Sequence, residues 1–251
     1  MIRVMGIRIP AAASLIVWCV VWEIVGHLDL IPILPPFSAV LSAILRIAPT
    51  QQFQEGALIT LGSFAVGMVG AIAAGVALGV LMGRVEAAER LLGMWVNVFA
   101  SAPLSALVPV LMILFGLGST TVVVAVILFA VWIVVLDTAA GIKHVNPSLV
   151  DMARSFGAGR MQILFKIYAL AALPEILAGV RLGLIRGVKG VVIGQLLVSI
   201  VGFGAMFELY SRNFLMEEFW ALTIVLFAFA ILISEAVALA ERKIEFYSAV
   251  R

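Results

Sequence analysis

The sequence predicts an all-α, polytopic membrane protein with six transmembrane helices, and three observations support this fold class. Hydrophobic residues make up 64% of the chain and charged residues 12%, and the mean hydropathy is +1.23. A soluble domain usually carries about a quarter charged residues. Segments 56–83 and 91–136 contain no Asp, Glu, Lys or Arg. Since one helical crossing takes about 20 residues, the second segment must hold two. Finally, the 16 basic residues are distributed unevenly between the connections.

The first crossing is expected at 10–28, after Arg3 and Arg8. No convincing small-residue cleavage site follows the apolar run, so this helix is interpreted as an uncleaved anchor. Residues 1–31 therefore form an N-terminal transmembrane helix, and 32–251 form the main transmembrane domain. The next segment places two prolines and Ser38 before 39–45. That pattern is typical of a short helix lying on the outer surface, and a packed linker helix fits equally well.

The other crossings are expected at 58–83, 91–116, 119–138, 177–201 and 219–240. Gly116-Leu117-Gly118-Ser119 is a turn signal that separates the third crossing from the fourth. Pro103 and Pro109 should kink or unwind the third crossing, and broken helices at membrane depth tend to line cavities.

Glycine recurs every four residues in the second and fifth crossings, at 75, 79 and 83 and again at 179, 183 and 187. Small residues at this spacing line one helix face and allow close backbone approach. The second and fifth helices are therefore predicted to form the interior of the bundle, although glycine is also frequent in membrane helices generally.

Basic residues orient the bundle. The segments 1–9, 84–90, 139–176 and 241–251, together with the inner half of the fifth helix, hold every Lys and Arg except Arg46 and Arg212. Cytoplasmic connections of membrane proteins carry an excess of basic residues. Both termini are therefore expected in the cytoplasm.

The cytoplasmic segment 146–174 has clear helix signals. Asn146 suits an N-cap, Pro147 suits the first helical position, and Gly157 suits the left-handed residue after the last turn. A helix is predicted over 147–156 and a second over 160–170. Four residues are expected to share the apolar face of the first helix: Leu149, Val150, Ala153 and Phe156. Such a helix suits a groove on a partner protein, and a re-entry helix resting on its own bundle is equally consistent.

The residues of this segment also resemble a known motif. Asp151-Met152-Ala153-Arg154-Ser155-Phe156-Gly157, followed by Ile167, resembles the EAA loop of binding-protein-dependent ABC importer permeases. That family has Glu-Ala-Ala, three residues, Gly, nine residues, then Ile-x-Leu-Pro. Ala153, Gly157 and Ile167 match this pattern, whereas Asp151 and Met152 replace Glu and Ala. Ala169-Leu170 stands in place of Leu-Pro.

Further likeness points to the nitrate/sulfonate/taurine branch of that family. Leu173-Pro174 precedes a Gly-Val-Arg-Leu stretch at 179–182, and the segments 35–38 and 114–118 resemble motifs of the same branch. The resemblance covers roughly 32–245. It implies the transmembrane-domain fold of a type I ABC importer, with a cytoplasmic coupling helix in the coupling loop 146–174.

The resemblance also implies a function. The chain would be the permease subunit of an ATP-driven importer in the bacterial inner membrane, moving a small anionic or polar solute of the nitrate, sulfonate or taurine type. The implied partners are a pair of ATP-binding subunits, a second permease subunit (a homodimer is expected) and a periplasmic or extracellular solute-binding protein. The residues implied to couple to the ATPase are Asp151, Ala153, Arg154, Phe156 and Gly157.

No cofactor is expected in this chain, with Mg-ATP held by the partner ATPase. All four lysines, at 143, 166, 189 and 243, lack the preceding glycine of a Walker A loop. His27 and His144 lie far apart and Cys19 is the single cysteine, so no metal site is predicted. Lipid surrounds the bundle, and no nucleic-acid partner is expected.

Ionisable groups within crossings are costly and are therefore candidates for function. Asp137, Arg181 and Glu235 lie near the inner boundary, where a structural role is favoured. Arg186 and Lys189 lie deeper, where they could attract an anion or pair with Asp137 or Glu23. Uncharged polar residues of the third and fifth helices could line the path or only bond neighbouring helices. The candidate path comprises Ser101, Ser105, Arg186, Lys189, Gln195 and Ser199.

Two other functional classes account for less of the sequence. A secondary transporter driven by an ion gradient explains the crossings and the intramembrane charges, but it leaves the 146–174 segment unexplained. A membrane-embedded enzyme would need a metal-ligand spacing, a nucleophile elbow or a carboxylate pair, and none stands out. The sequence is therefore not expected to be an enzyme.

Overall fold

The computed structural model describes residues 2–4, 7–9, 11–29, 31–198 and 200–249. The short strands β1 (Ile2–Val4) and β2 (Ile7–Ile9) pair antiparallel, with Ile2 opposite Ile9. All other regular elements of the described residues are helical, as predicted. The first two helices are α1 (Ala11–His27) and α2 (Phe37–Ile47).

The first half of the bundle continues with α3 (Gln51–Arg84), α4 (Glu86–Ser101), a 3-10 turn (Leu104–Leu107), α5 (Val108–Phe115) and α6 (Ser119–His144). The segment after α6 holds α7 (Pro147–Ser155), α8 (Arg160–Ile163), a π-helical turn (Leu164–Tyr168) and α9 (Ala169–Ala171). The last three helices are α10 (Leu173–Val198), α11 (Gly202–Arg212) and α12 (Met216–Ala249).

A helix occupies each of the six predicted crossings, although not all are straight spans. Among the described residues, three helices are long and apolar enough to cross a membrane by themselves: Gln51–Arg84, Ser119–His144 and Met216–Ala236. Two bent pairs raise this to five if each pair is one span. They are Glu86–Ser101 with Leu104–Phe115, bent by 97°, and Arg160–Ala171 with Leu173–Val198, bent by 64°. The first helix, with its apolar part at Ser14–His27, is shorter.

The third predicted crossing is broken at Pro103 but not at Pro109. Ala102 is extended at ψ 151°, so α4 ends before the proline and the chain turns sharply. Pro109 instead lies in the first turn of α5, where its missing N–H costs no hydrogen bond. The crossing is thus kinked at Pro103 and unwound into a 3-10 turn just before Pro109.

Close packing through glycine is confirmed, but α6 is the helix at the centre. A Cβ built on Gly79 of α3 would lie 2.5 Å from Thr138 Cβ of α6, and one built on Gly183 of α10 would lie 2.8 Å from Val134 Cγ2. Both glycine faces thus contact α6, so the prediction that α3 and α10 form the interior is incomplete. Several α6 residues are fully buried between them: Val122, Ala125, Val126, Ala130, Val134 and Val135.

α2 is both a surface helix and a packed linker helix, the two alternatives that its sequence allows. Val40 and Ala43 are buried against α11 and α12, while Leu45 is 78% exposed. Arg46 fixes the end of the helix by donating to Glu217 (2.5 Å) and Glu218 (3.2 Å) at the start of α12. Hydrogen bonds to these two carboxylates raise the pKa of Arg46. α2 is therefore a surface helix that is also anchored to the bundle.

Candidate functional site

The caps of α7 match the sequence prediction. Ser148 N donates to Asn146 Oδ1 at 2.9 Å, and Pro147 occupies the first turn. At the other end, Phe156 is the C-cap and Gly157 adopts φ +80°, with its N–H donating to Arg154 O at 2.9 Å. A left-handed backbone favours glycine. The helix is therefore stopped by local chemistry one residue earlier than predicted.

The predicted apolar face of α7 is wrong in its membership. Val150 is 4% exposed and packs in a cluster with Ile142, Ile163 and Ala172, and Ala153 is half-buried beside them. Phe156 is instead 85% exposed, because the C-cap residue has left the helical repeat. α7 therefore rests on its own bundle through one face and presents other apolar side chains outward.

Those outward side chains form a patch. Six large apolar residues of the 146–174 segment are exposed: Leu149, Met152, Phe156, Met161, Phe165 and Leu170. We call the five between 149 and 165 the coupling patch. Asp151 and Arg154 lie beside the patch on α7 and pair at 3.3 Å, with their side chains 71% and 64% exposed. Apolar patches rimmed by polar residues mark interaction surfaces. The predicted coupling residues thus lie at an exposed surface, except the half-buried Ala153.

Two polar contacts lie at the helix ends beside this segment, and one of them reaches the segment itself. The Arg84 guanidinium at the end of α3 lies 4.6 Å from the centroid of the Tyr168 ring, a cation–π contact. Lys143 at the end of α6 pairs with Glu89 of α4. A cavity of about 330 Å³ lies between these helix ends and α7. α7 itself reaches α6 through Val150, which packs in one cluster with Ile142.

The break between α4 and α5 gathers three of the candidate path residues. Ser101 ends α4, Ser105 lies in the 3-10 turn, and both are exposed. Arg186 of α10 donates from Nη1 to Ala100 O at 3.2 Å, which satisfies one of the free carbonyls at the end of α4. Asp137 of α6 lies within electrostatic reach of Arg186. Arg186 therefore joins α10 to the broken helix.

Gln195 does not lie on an open face. Its side chain is 2% exposed, and Thr60 Oγ1 of α3 lies 3.0 Å from its Oε1. The packing bond that the sequence left as an alternative is therefore the structural finding for Gln195. Ser199 lies outside the described residues. Glu23 accepts from Ser38 N and Oγ at 2.9 and 2.7 Å, so it caps α2 rather than pairing with the fifth crossing.

Lys189 follows Arg186 by three residues on α10 but lines a different groove. It is exposed and lines a groove between α10 and α12. Sequence reasoning did not predict α11, which borders the same groove through Phe207. Thr60, the buried partner of Gln195, was also missed, because a single threonine in an apolar helix gives no pattern. Among the described residues, no group of three His, Cys, Asp or Glu could hold a metal ion.

Comparisons with known proteins agree on one family. The family described as "Binding-protein-dependent transport system inner membrane component" matches residues 69–246. The taurine transport system permease protein TauC of Escherichia coli (strain K12) is 30% identical over 226 residues, which cover 87% of this chain and 80% of that protein. The glycine betaine/proline betaine transport system permease protein ProW of the same organism is 30% identical over 199 residues, covering 78% of this chain and 53% of ProW.

A solved structure shares the fold. An inward-facing structure of the MetNI methionine ABC transporter aligns with a TM-score of 0.59 at 22% identity. The alignment covers 77% of this chain and 94% of that chain. At this identity the similarity shows the fold alone.

Proposed function

The chain belongs to the family of binding-protein-dependent transport system inner membrane components, and we propose that a separate ATPase drives it by docking on α7. It is the permease subunit of an ABC importer, a multi-pass membrane protein. This membership favours ATP-driven import over the ion-gradient-driven alternative. Mg-ATP would be bound by the ATPase, so this chain supplies the passage and the coupling surface rather than the hydrolytic chemistry.

The coupling patch is the observation that carries the proposal. Phe156 is 85% exposed, although a large aromatic side chain gains most from burial. Such a residue suits a pocket on a partner, where aromatic anchors tend to dominate binding energy. Val150 and the Arg84–Tyr168 contact hold the same segment against α3 and α6. A pull on the patch would therefore be transmitted to the bundle rather than absorbed by a loose loop.

The proposal includes an orientation. α3 begins just after Arg46 of α2 and ends at Arg84. The coupling patch lies at the Arg84 end of the bundle, together with Lys143 and Arg154. Basic residues favour the cytoplasmic side. The patch and both termini would then lie in the cytoplasm, where ATP is available.

Partners on the other faces complete the assembly. A second copy of the chain would form the rest of the passage. A solute-binding protein would dock on the outer side, where α2 exposes Leu41 and Leu45. TauC is named for taurine and ProW for betaines, which are small organic solutes with a sulfonate or carboxylate group. Since Arg186 and Lys189 are cations on α10, we propose that the solute here also carries an anionic group.

Reconstitution tests this function. The chain, an ATPase subunit and a binding protein would be placed together in proteoliposomes, and uptake of radiolabelled taurine and glycine betaine would be measured with and without Mg-ATP. Uptake is expected only with ATP on the side of α7 and binding protein on the opposite side. Uptake driven by a proton or sodium gradient without ATP would contradict the proposal.

A further inference from the structure

The groove between α10 and α12 has the size and chemistry of a small-molecule site. Its cavity volume is about 590 Å³, and ligand sites usually measure about 300–1,000 Å³. Its walls are mostly apolar and include three phenylalanine rings, Phe207, Phe219 and Phe227. Two hydroxyl groups, of Thr223 and Ser234, interrupt the apolar lining. An apolar pocket with a few polar groups binds ligands that have an apolar body.

Lys189 is the one ionisable side chain among the described residues that line this groove. It is exposed, and within the described part of the chain no carboxylate lies in ion-pair distance of it. α10 spans Leu173–Val198, so at 1.5 Å per residue Lys189 lies about 24 Å from its first residue and about 14 Å from its last, away from both ends. The hydrocarbon core of a bilayer is about 30 Å thick.

A lysine at this depth is costly if it faces lipid tails, which is why such residues face water-filled cavities or bind counter-charges. The position of Lys189 therefore indicates that the groove faces an aqueous passage. The charge of Lys189 also favours an anionic ligand, because an ammonium group in apolar surroundings attracts an anion and repels a cation.

A second cavity extends the groove toward the outer side. It has a volume of about 410 Å³ and shares Leu196, Phe207 and Phe219 with the groove. Its polar wall holds Glu208 and Arg212 of α11, which pair at 2.5 Å. The two cavities thus adjoin, one with a polar wall on α11 and the other lined by Lys189.

We propose that this groove is a substrate subsite for an organic anion with an apolar body. The anionic group, a sulfonate or carboxylate, binds the Lys189 ammonium, and an aliphatic or aromatic body contacts Phe207, Phe219 and Phe227. An inorganic anion such as nitrate leaves the apolar walls uncovered, and an organic cation meets a like charge. This inference rests on the proposed function and narrows its substrate class to amphiphilic organic anions.

Thiol labelling tests the groove in the purified complex of the chain with its ATPase. Cys19, the single cysteine, is first changed to Ser, and Ser234→Cys then places a reporter of similar size in the groove. Thr223→Cys gives a second reporter if Ser234→Cys elutes as an aggregate. The measured quantity is the labelling rate by N-ethylmaleimide, alone and with hexanesulfonate, hexyltrimethylammonium or sodium nitrate.

We expect the thiol to react, because only a hydrated thiol forms the reactive thiolate. Hexanesulfonate is expected to slow the reaction, whereas hexyltrimethylammonium and nitrate leave the rate unchanged. Lys189→Gln should raise the hexanesulfonate concentration for half-protection about tenfold or more, since a charge-assisted hydrogen bond is lost. Lys189→Arg retains the charge and should keep the protection close to that of the parent.

Three results would overturn the inference. An unreactive thiol means that lipid or a second copy of the chain fills the groove. Equal protection by the sulfonate and the ammonium compound means that the groove binds apolar chains without regard to charge. Unchanged protection in Lys189→Gln removes the role of that lysine. If any of these occurs while uptake still requires ATP, the groove assignment fails and the proposed function stands. Uptake without ATP would refute the proposed function instead.

Discussion

The contact between α3 and α6 at Gly79 gives a quantitative prediction. A Cβ atom at position 79 would lie 2.5 Å from Thr138 Cβ, 2.8 Å from Thr138 Cγ2 and 2.8 Å from the Val135 carbonyl oxygen. Carbon atoms pack best at about 3.5–4.0 Å. Gly79→Ala therefore requires the two helices to separate by about 1 Å, given that ideal separation.

The surroundings leave little room for that shift. Thr138 and Val135 are both 0% exposed, and a backbone carbonyl cannot rotate away as a side chain can. Overpacking of this kind usually costs about 1–3 kcal/mol. Replacing glycine by alanine within a helix returns about 0.5–1 kcal/mol. The net expectation for Gly79→Ala is a loss of about 1–2 kcal/mol in the free energy of unfolding.

Gly62→Ala is the matched control on the same helix. Nothing lies within 4 Å of a Cβ atom at position 62, so only the helix-forming gain of about 0.5–1 kcal/mol remains. Both variants would be unfolded in mixed micelles with increasing sodium dodecyl sulfate, following helix content by circular dichroism. Gly79→Ala should unfold earlier than the wild type and Gly62→Ala slightly later. Equal stability of the two variants would refute the packing of α3 on α6 described above.

Three further predictions concern the coupling segment and two contacts near the start of α3. Gly157 lies at φ +80°, so Gly157→Asp should abolish ATP-coupled uptake without preventing membrane insertion. Gly159 lies at φ −70° at a helix N-cap, where Gly159→Asp should be tolerated. Equal uptake by the two variants would contradict this prediction. Thr60→Val should lower the free energy of unfolding by about 1–3 kcal/mol, because Gln195 Oε1 is left buried without a donor. Adding Gln195→Leu should recover part of this loss. If the double variant recovers nothing, the buried pair is not the cause. Arg46→Ala should lower the melting temperature slightly in low salt and not in about 1 M salt; a salt-independent loss would show that the ion pairs are not its cause.

Features determined by local chemistry could be predicted from the sequence. The cap at Asn146 and the left-handed Gly157 depend only on neighbouring residues, and both are found where predicted. Glycine spacing likewise predicted that α3 and α10 each pack closely on another helix, which the structure shows to be α6. The central position of α6 could not be predicted, because an evenly apolar helix shows no face that distinguishes core from lipid.

The candidate site could be predicted from the sequence only where its residues lie in one continuous segment. The coupling residues lie within a single short stretch, so their order along the chain predicted their proximity. By contrast, the Arg186 contact with Ala100, the burial of Gln195 against Thr60 and the groove at Lys189 each depend on pairing between distant helices. Such pairings leave no local pattern. The exposure of Phe156 was mispredicted because it depends on the α7 repeat ending at Ser155.

Docking of the ATPase on the coupling patch is tested most directly with the Phe156→Asp variant of the detergent-solubilised chain. The measured quantity is the affinity of the ATPase subunit for this variant and for the wild type. The matched control is Phe214→Asp, since Phe214 is 79% exposed but lies between α11 and α12. An aromatic anchor contributes about 2 kcal/mol or more, so Phe156→Asp should weaken ATPase binding about thirtyfold or more, and Phe214→Asp should leave it unchanged. Wild-type affinity in Phe156→Asp, or an equal loss in both variants, would contradict the account.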